Sequence, residues 1–257
     1  MPHDIKILVA AHKMAPMPQD DMYLPTHVGK ALSSDDFGYT PDNTGDNISD
    51  KNRSFCELTG VYWAWKNLNA DFVGLVHYRR LFVNRNSMFC KDILSREKAE
   101  ELLANHDVIL PKQRHYYIET TRSQYEHAHN PHDLIVVEDI LKEKHPQYLG
   151  AFAKVMSRTY GHRFNMFIMK RELFNNYCEW LFDVLFELEK RIDTTKYNKY
   201  NSRVFGFISE RLLDVWVEAN NVNYTEQKVV FTEHQNWPKK IYDFLIRKMR
   251  GGVDFEN

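Results

Sequence analysis

The sequence predicts an α/β fold in which helices cover both faces of a mostly parallel central sheet. Three apolar runs, at residues 5–11, 72–76 and 108–110, have the composition of strands that are buried on both faces. Segments with apolar residues at helical spacing, such as "CELTGVYWAWKN" and "SREKAEELLANH", lie between them. Strands that alternate with helices in this way form parallel sheets. We expect one domain over residues 1–235 and a basic tail over residues 236–257.

The first strand, residues 5–11, leads into the polar residues His12 and Lys13, which should lie at its carboxyl end. Residues 14–52 are rich in Pro, Gly, Asp and Asn, and this composition predicts a long ordered loop. Loops of this length in compact domains usually have a function.

Helical spacing of apolar residues predicts a helix over residues 52–68. The strand at residues 72–76 then ends in a polar tetrad: His77, Tyr78, Arg79 and Arg80. The remaining sequence continues the alternation. Further helices are predicted at residues 95–106, 134–144, 147–157, 171–192 and 206–221, and further strands at residues 108–110, 164–170 and 228–231.

The composition limits the compartment and the partners. The formal net charge is -1, so no global field attracts nucleic acid, and an anionic ligand needs a local cluster of cations. Cys56, Cys90 and Cys178 are widely spaced without a C-x-x-C pattern, which argues against a disulfide framework or structural zinc. We expect no signal peptide, and no run approaches the ~20 apolar residues of a membrane-spanning helix. These features predict a cytoplasmic protein with reduced thiols.

The tetrad is the first candidate site, because ligands of open parallel sheets bind beyond the carboxyl ends of the strands. Arg79 and Arg80 offer guanidinium forks that suit phosphate or carboxylate groups. His77 could serve as a metal ligand, a proton carrier or a hydrogen-bond donor. A small anion such as a diphosphate fits this set best. In the alternative interpretation, one arginine pairs with a buried acid and Tyr78 belongs to the core.

Common catalytic motifs are missing from the sequence. It contains no G-x-x-x-x-G-K-[ST], G-x-G-x-x-G, G-x-S-x-G or H-E-x-x-H pattern, which disfavours kinases, dehydrogenases, esterases and zinc proteases. The group His127, His129, His132 and Asp133 could be a metal cluster or a histidine-rich surface loop. We favour the loop and predict no metal there.

Seven segments in order resemble one known family: "IKILVAAHK", "GDNIS", "CELTGVYWAWKN", "GLVHYRR", "FNMFIMK", "YCEWLF" and "GFISERLL". The sequence closely resembles the glycosyltransferases of bacterial capsular polysaccharide and O-antigen loci, a family long described only as a domain of unknown function. The resemblance covers residues 5–231. It implies a GT-A fold and a UDP-sugar donor, and some members are similar to galactofuranosyltransferases that use UDP-galactofuranose.

The resemblance also exposes a departure from the general GT-A pattern. A D-x-D motif normally follows the strand at residues 72–76 and holds a divalent metal on the sugar diphosphate, whereas "HYR" stands there in this sequence. Either Arg79 and Arg80, with Lys13, neutralise the diphosphate directly, or His77 helps to hold Mn or Mg with a distant carboxylate. We favour the first alternative, because two adjacent arginines repel a cation.

The resemblance implies roles for further residues. We expect donor contacts, beyond the tetrad, from Ala11, His12, Lys13, Asp46, Asn47, Ser49 and Asn165. Asx turns within the loop, or capping by Asn165, are the alternative explanations. Glu210 is the candidate general base, with Asp214 in reserve, although a first-turn glutamate also stabilises a helix by itself.

These residues predict an inverting enzyme that transfers a sugar, galactofuranose by resemblance, from a UDP donor to a lipid-linked oligosaccharide. The alternatives are a UDP-pyranose donor, such as UDP-galactose or UDP-glucose, and a non-catalytic module that binds sugar nucleotides or glycans. The tail at residues 236–257 has the pattern of a basic amphipathic helix. We expect it to hold the protein at the inner membrane face; packing on the domain is the alternative.

Overall fold

The computed structural model of the chain describes residues 3–86 and 91–233. Its strands are β1 (Ile5–Ala11), β2 (Tyr23–His27), β3 (Thr40–Pro41), β4 (Phe72–His77), β5 (Arg80–Asn86), β6 (Lys91–Ile93), β7 (Val108–Pro111), β8 (Arg114–His115), β9 (Tyr160–Gly161), β10 (Phe167–Lys170), β11 (Tyr224–Gln227) and β12 (Val229–Phe231). Its helices are α1 (Asn52–Phe55), α2 (Leu58–Asn67), α3 (Arg96–Leu103), α4 (Thr121–Glu126), α5 (Pro131–Lys144), α6 (Leu149–Ser157), α7 (Arg171–Arg191) and α8 (Val204–Ala219).

The described residues form two compact units. Unit 1 consists of residues up to 112, residues 163–179 and residues 222–233. Unit 2 consists of residues 113–162 and 180–221. The central sheet belongs to unit 1, and most of the helices belong to unit 2.

The main path of the central sheet has the strand order β11-β7-β10-β4-β1-β2-β3. Along this path β1 runs parallel to β2 and β4, β2 to β3, and β11 to β7. Only β10 is reversed, and it pairs antiparallel with β4 and β7. The predicted mostly parallel sheet is therefore confirmed, with one reversed strand next to its centre.

The centre of the sheet is buried on both faces. In β1, Ile7 and Val9 lie on one face and Leu8 and Ala10 on the other, and all four are buried, as the continuous apolar run predicts. Gly74 in β4 is needed where β10 crosses closely, because an added Cβ would lie 3.0 Å from the Ile168 Cγ1 and 3.0 Å from the Phe167 carbonyl oxygen. A larger residue there would push β10 away from β4.

The predicted helix over residues 52–68 is interrupted. Cys56 adopts φ 54 and ψ -131, which ends α1 after one turn, and α2 begins at Leu58. The Asn52 side chain donates to the Cys56 carbonyl over 2.7 Å and fixes the break. As a consequence, Glu57 stands at the N-terminal end of α2.

The long loop predicted at residues 14–52 contains two strands, β2 and β3, so that part of the prediction is wrong. A single buried acid, Asp42, orders the end of this segment. Its carboxylate accepts the backbone N–H groups of Gly29 (2.8 Å) and Lys30 (3.0 Å) and the hydroxyl of Thr59 (2.6 Å). The Ser49 hydroxyl donates to the same carboxylate.

Unit 2 contains the two-stranded ladder of β8 and β9 and the helices α4, α5, α6 and α8. The helices predicted at residues 134–144, 147–157 and 206–221 are confirmed as α5, α6 and α8. The helix α4, capped by Thr120, was not predicted, and the expected surface loop around residues 127–133 is wrong, because His129 and Asp133 are buried and α5 begins at Pro131 after the cap residue Asn130. Its centre buries Asp133, whose carboxylate accepts hydroxyl hydrogen bonds from Tyr125 (2.8 Å) and Tyr197 (2.5 Å).

Helix α7 continues from one unit into the other, with residues 171–179 in unit 1 and residues 180–191 in unit 2. Within the described residues, no helix combines the length and the apolar character that crossing a bilayer requires. The predicted tail, residues 236–257, and Cys90 lie outside the described residues.

Candidate functional site

The exit of the first strand and the polar tetrad meet in unit 1, as predicted. The parallel pairing of β1 with β4 sets Ala10 opposite His77. Beyond this pair, the Lys13 Nζ lies 5.2 Å and the Arg79 guanidinium 5.8 Å from the centre of the Tyr78 ring. The His12 ring contacts the same tyrosine edge to face, at 5.5 Å between centroids. Tyr78 therefore joins the two segments.

The tetrad is a tight hairpin rather than a simple strand exit. His77 pairs with Arg80 across the antiparallel contact of β4 and β5, and Tyr78 and Arg79 form the two-residue turn between them. Tyr78 is buried, whereas Arg79 stays partly exposed. The strand β5 was not predicted, because its first residue belongs to the polar tetrad.

The arginine at the start of β5 is held by aromatic rings. The Arg80 guanidinium carbon lies 4.5 Å from the ring centre of Phe164 and 5.7 Å from that of Phe231. Both distances lie within the range of a cation–π interaction. Arg80 is thus positioned by packing against two rings, and both arginines are partly exposed.

One acid lies among the cations of this edge. The Lys13 Nζ is 3.0 Å from the Glu233 Oε1. This ion pair raises the pKa of Lys13 and lowers the pKa of Glu233, which Arg79 and His12 lower further. Both partners are therefore charged at neutral pH. Glu233 was not predicted as a site residue, because it follows the last strand with no motif around it.

His77 is buried and holds a carbonyl oxygen. Its Nε2 lies 2.6 Å from the Phe164 carbonyl. Burial lowers the pKa of His77 and the Arg80 and Arg79 charges lower it further, while Glu57 opposes the shift. The imidazole is therefore neutral at pH 7, with Nε2–H as the donor. This places a neutral ring directly under the cationic turn.

The chain is strained next to this histidine. Phe164 and Asn165 have φ 79 and φ 55, a conformation that side chains other than glycine rarely adopt. The Asn165 amide donates to the Glu57 Oε1 over 2.7 Å, and Glu57 itself follows the positive-φ residue Cys56. Three of the five positive-φ residues other than glycine in the described chain thus surround one contact. Strain of this kind concentrates at functional sites.

Glu57 is a second acid of this site that was not predicted from the sequence. It lies in the middle of a segment read as a continuous helix, where a glutamate has no special meaning. The helix break at Cys56 and the distant partner Asn165 give it a fixed position.

The predicted donor contacts of the first strand and the long loop have different surroundings. Ala11 and Ser49 are fully buried, and the Ser49 hydroxyl also accepts the Ala31 N–H over 3.0 Å. Asp46 is exposed and Asn47 is partly exposed; the Asp46 carboxylate accepts the Tyr62 hydroxyl over 3.2 Å. Ser49 thus serves the fold of the loop, and donor binding by these residues stays a prediction.

The two candidate bases belong to unit 2. Both oxygens of the buried Asp214 are engaged by His162, through Nδ1 at 2.6 Å and the backbone N–H at 3.0 Å. Glu210, one turn earlier in α8, is partly exposed and forms an ion pair with Arg211 at 3.0 Å. Glu210 is the more accessible of the two carboxylates.

A family model described as "Domain of unknown function (DUF4422)" matches residues 6–221. The chain belongs to this family. No curated protein matches the sequence. Among solved structures, the chain is similar to the apo structure of the WbbM bifunctional glycosyltransferase, with a TM-score of 0.82 and 30% sequence identity. The match covers 90% of this chain and 46% of the other, so the chain spans about half the length of that protein.

Two positions were considered for a metal, namely the group at residues 127–133 and the polar tetrad. Neither has a suitable set of ligands among the described residues. No group of three or more His, Cys, Asp or Glu side chains converges there. Instead, the His127 Nδ1 lies 2.7 Å from Glu119, the His129 Nδ1 lies 2.8 Å from Asn201, and Asp133 accepts two tyrosines. At the tetrad the nearby groups are mainly cationic. The residues present therefore do not fit a divalent metal.

Proposed function

We propose that the chain is a glycosyltransferase of bacterial polysaccharide synthesis. The observation that carries this proposal is its similarity, at 30% identity over 90% of the chain, to the WbbM bifunctional glycosyltransferase. The reversed strand beside the centre of an otherwise parallel main sheet path supports the GT-A assignment.

The donor is proposed to bind at the cationic edge of unit 1. Arg79 and Lys13 are partly exposed cations that share Tyr78 as a support, and a diphosphate carries the charge and the oxygen geometry that they favour. As the bond to the sugar breaks, negative charge grows on the diphosphate, and fixed cations stabilise it. Glu233 competes with the diphosphate for the Lys13 ammonium group.

The donor sugar is proposed to lie near Asn165 and Glu57. An amide and a carboxylate provide the donor and acceptor atoms that sugar hydroxyls require. Their mutual hydrogen bond of 2.7 Å and the neutral His77 below Phe164 hold both groups in place before a ligand arrives. Such preorganisation favours discrimination between sugars that differ in one hydroxyl.

The general base is proposed to be Glu210. Its carboxylate takes the proton of the acceptor hydroxyl while that oxygen bonds to the anomeric carbon. The bond between this carbon and the diphosphate breaks, and its electron pair leaves with UDP. Asp214 remains the reserve, although its oxygens are engaged by His162. Inversion, a galactofuranose donor and a lipid-linked oligosaccharide acceptor complete the proposal, together with peripheral membrane association through residues 236–257.

A second candidate is a module that binds sugar nucleotides without transferring the sugar. It is favoured by "HYR" at the position where carboxylates hold the metal in the general GT-A pattern. A UDP-pyranose donor is the alternative within the enzyme hypothesis.

The test is a screen for UDP release with UDP-galactofuranose, UDP-galactose and UDP-glucose, each with and without a synthetic lipid-linked acceptor. We expect acceptor-dependent release with the galactofuranose donor and unchanged rates after EDTA treatment. Binding of a donor without turnover on any acceptor tested would support the binding module. Turnover only with a pyranose donor would correct the donor assignment.

A further inference from the structure

Unit 2 presents an unusual exposed surface, the aromatic tip, which comprises Arg114, His115, Tyr116, Tyr117 and Ile118. The side chain of Tyr117 is 85% exposed and that of Ile118 is 64% exposed. Among the large hydrophobic residues exposed in the described chain, only these two are adjacent in sequence. Adjacent exposed apolar side chains of this size mark a contact surface more often than isolated ones do.

The backbone holds the aromatic tip in a strained shape. Tyr116 donates its N–H to the Thr159 carbonyl over 2.7 Å, next to the β8–β9 ladder. The Ile118 N–H then donates to the Tyr116 carbonyl over 2.7 Å, closing a three-residue turn around Tyr117 at φ 61. Such turns are rare for residues other than glycine. The turn thus directs an aromatic and an aliphatic side chain to solvent at an energetic cost.

The exposed side of the tip is aromatic and cationic. The His115 ring lies 6.1 Å from Tyr117 and 5.7 Å from Tyr160, and the Arg114 guanidinium lies 5.9 Å from the Tyr116 ring. Residues 113–118 contain no acid. The next residue, Glu119, is buried, and its Oε1 lies 2.7 Å from the His127 Nδ1.

We propose that the aromatic tip inserts into the headgroup region of an anionic lipid bilayer. Tyrosine suits this region because its ring is apolar and its hydroxyl is polar, and arginine binds anionic headgroups. Exposed side chains on a turn can contact a flat partner such as a bilayer, whereas small-molecule sites are usually concave. The inference extends the proposed membrane association, but vesicle binding needs neither donor nor transfer, so it can fail independently.

The experiment is vesicle cosedimentation of the full chain with phosphatidylcholine vesicles, with and without phosphatidylglycerol. Tyr117→Gly removes the ring and suits the positive φ, so this variant should fold at least as well as the wild type. Combined with Ile118→Ser, it should weaken binding to anionic vesicles by ~10-fold or more. Arg114→Gln should weaken it by about 5-fold, and only on anionic vesicles.

Ile135→Ser is the matched control, because Ile135 is 50% exposed in the same unit but lies on the helix α5. Its vesicle binding should equal that of the wild type. Wild-type binding by the Tyr117→Gly/Ile118→Ser variant would overturn the proposal. If that variant binds vesicles like the wild type but has a raised KM for a detergent-dispersed acceptor, the tip contacts the glycan instead. If it binds vesicles like the wild type but no longer forms a dimer that the wild type forms, the tip serves self-association instead.

Discussion

His77 in unit 1 and Asp133 in unit 2 are both buried titratable groups, and burial is the largest influence on each pKa. Burial lowers the pKa of His77 and raises the pKa of Asp133, so it favours the neutral form of both groups. Their neighbours differ. His77 lies beneath a turn that carries accessible cations, whereas Asp133 accepts hydrogen bonds from two buried phenols.

His77 and Asp133 therefore illustrate two different roles of a buried polar residue. In unit 1 the neutral ring lies beneath a charged turn, at which we propose that an anionic ligand binds. In unit 2 the polar atoms satisfy one another and specify how the helices pack. The sequence alone does not distinguish a buried polar residue that supports a proposed binding surface from one that specifies packing. The distinguishing feature is whether charged groups remain at the surface beside it.

The largest expected effect tests whether unit 2 contributes chemistry in addition to packing. Glu210→Gln keeps the size of the side chain but removes the proton acceptor, so transfer should fall by ~10²- to 10⁴-fold while donor affinity persists. Single-turnover transfer and donor titration measure the two quantities separately. Asp214→Asn is the matched control and should lower thermal stability, because it disturbs the buried contact with His162. Native transfer by Glu210→Gln together with loss of transfer in Asp214→Asn would make Asp214 the base. Native transfer by both variants would restrict unit 2 to packing.

The next effect concerns the charged edge of unit 1. Arg79→Ala should weaken UDP-sugar binding by about 10- to 150-fold, since a hydrogen bond to a charged group contributes ~1.5–3 kcal/mol. Arg79→Lys should restore only part of the affinity, because an ammonium group lacks the planar fork. Arg53→Ala, at an exposed arginine of the same unit, is the control. Equal affinity of the Arg79→Ala and Arg53→Ala variants would remove the turn from the donor site.

The two buried groups predict opposite slopes of stability against pH. Below 6.5, the ordinary pKa of histidine, the unfolded chain binds a proton that folded His77 resists, so the free energy of unfolding rises with pH there. Above 3.8, folded Asp133 keeps a proton that the unfolded chain loses, so its contribution falls as pH rises. Each unit of pKa shift corresponds to ~1.4 kcal/mol.

Urea unfolding of the wild type, His77→Gln and Asp133→Asn over a range of pH measures these slopes. The difference between the wild type and each variant should show the slope of the deleted group. If the free energy of unfolding changed with pH in the same direction for His77 and Asp133, the conclusion that burial favours the neutral form of both would be contradicted.

The smallest expected effect is a gain in UDP affinity rather than a loss. Glu233→Gln should strengthen UDP binding by up to ~5-fold, because the carboxylate no longer competes with the diphosphate for Lys13, and exposed ion pairs contribute little. Titration with UDP at low and high salt measures the change, which salt should reduce. Weaker binding by this variant would instead make Glu233 a part of the donor site.

The sequence predicted those parts of the fold that follow from local pattern. The strands β1 and β4 and the helix α7 have continuous or periodic apolar residues, and each was predicted close to its observed limits. The strand β2 was missed because "YLPTH" contains a proline and a polar end. The break before α2 was missed because the positive φ of Cys56 has no signature in a cysteine.

Only the part of the candidate site that lies at the ends of β1 and β4 was predicted from the sequence. Two parallel strands imply that Lys13 and Arg79 meet, and they do. The partners Glu233 and Phe164 come from distant positions, and no spacing rule connects them to the tetrad. The same limit applies to Glu57, whose role depends on Asn165, a residue 108 positions later.

The position of the His77 partner has a consequence for protein synthesis. The Phe164 carbonyl that His77 contacts is 87 residues after His77 in the chain. Glu233, the partner of Lys13, is 220 residues after Lys13. While the ribosome translates the intervening residues, β1 and β4 can pair, but the ring of His77 has no carbonyl to bind and β4 has no β10 at its edge. Nascent chains that stop before this point should therefore expose a polar hairpin beside an unpaired strand, the kind of edge that chaperones protect from aggregation.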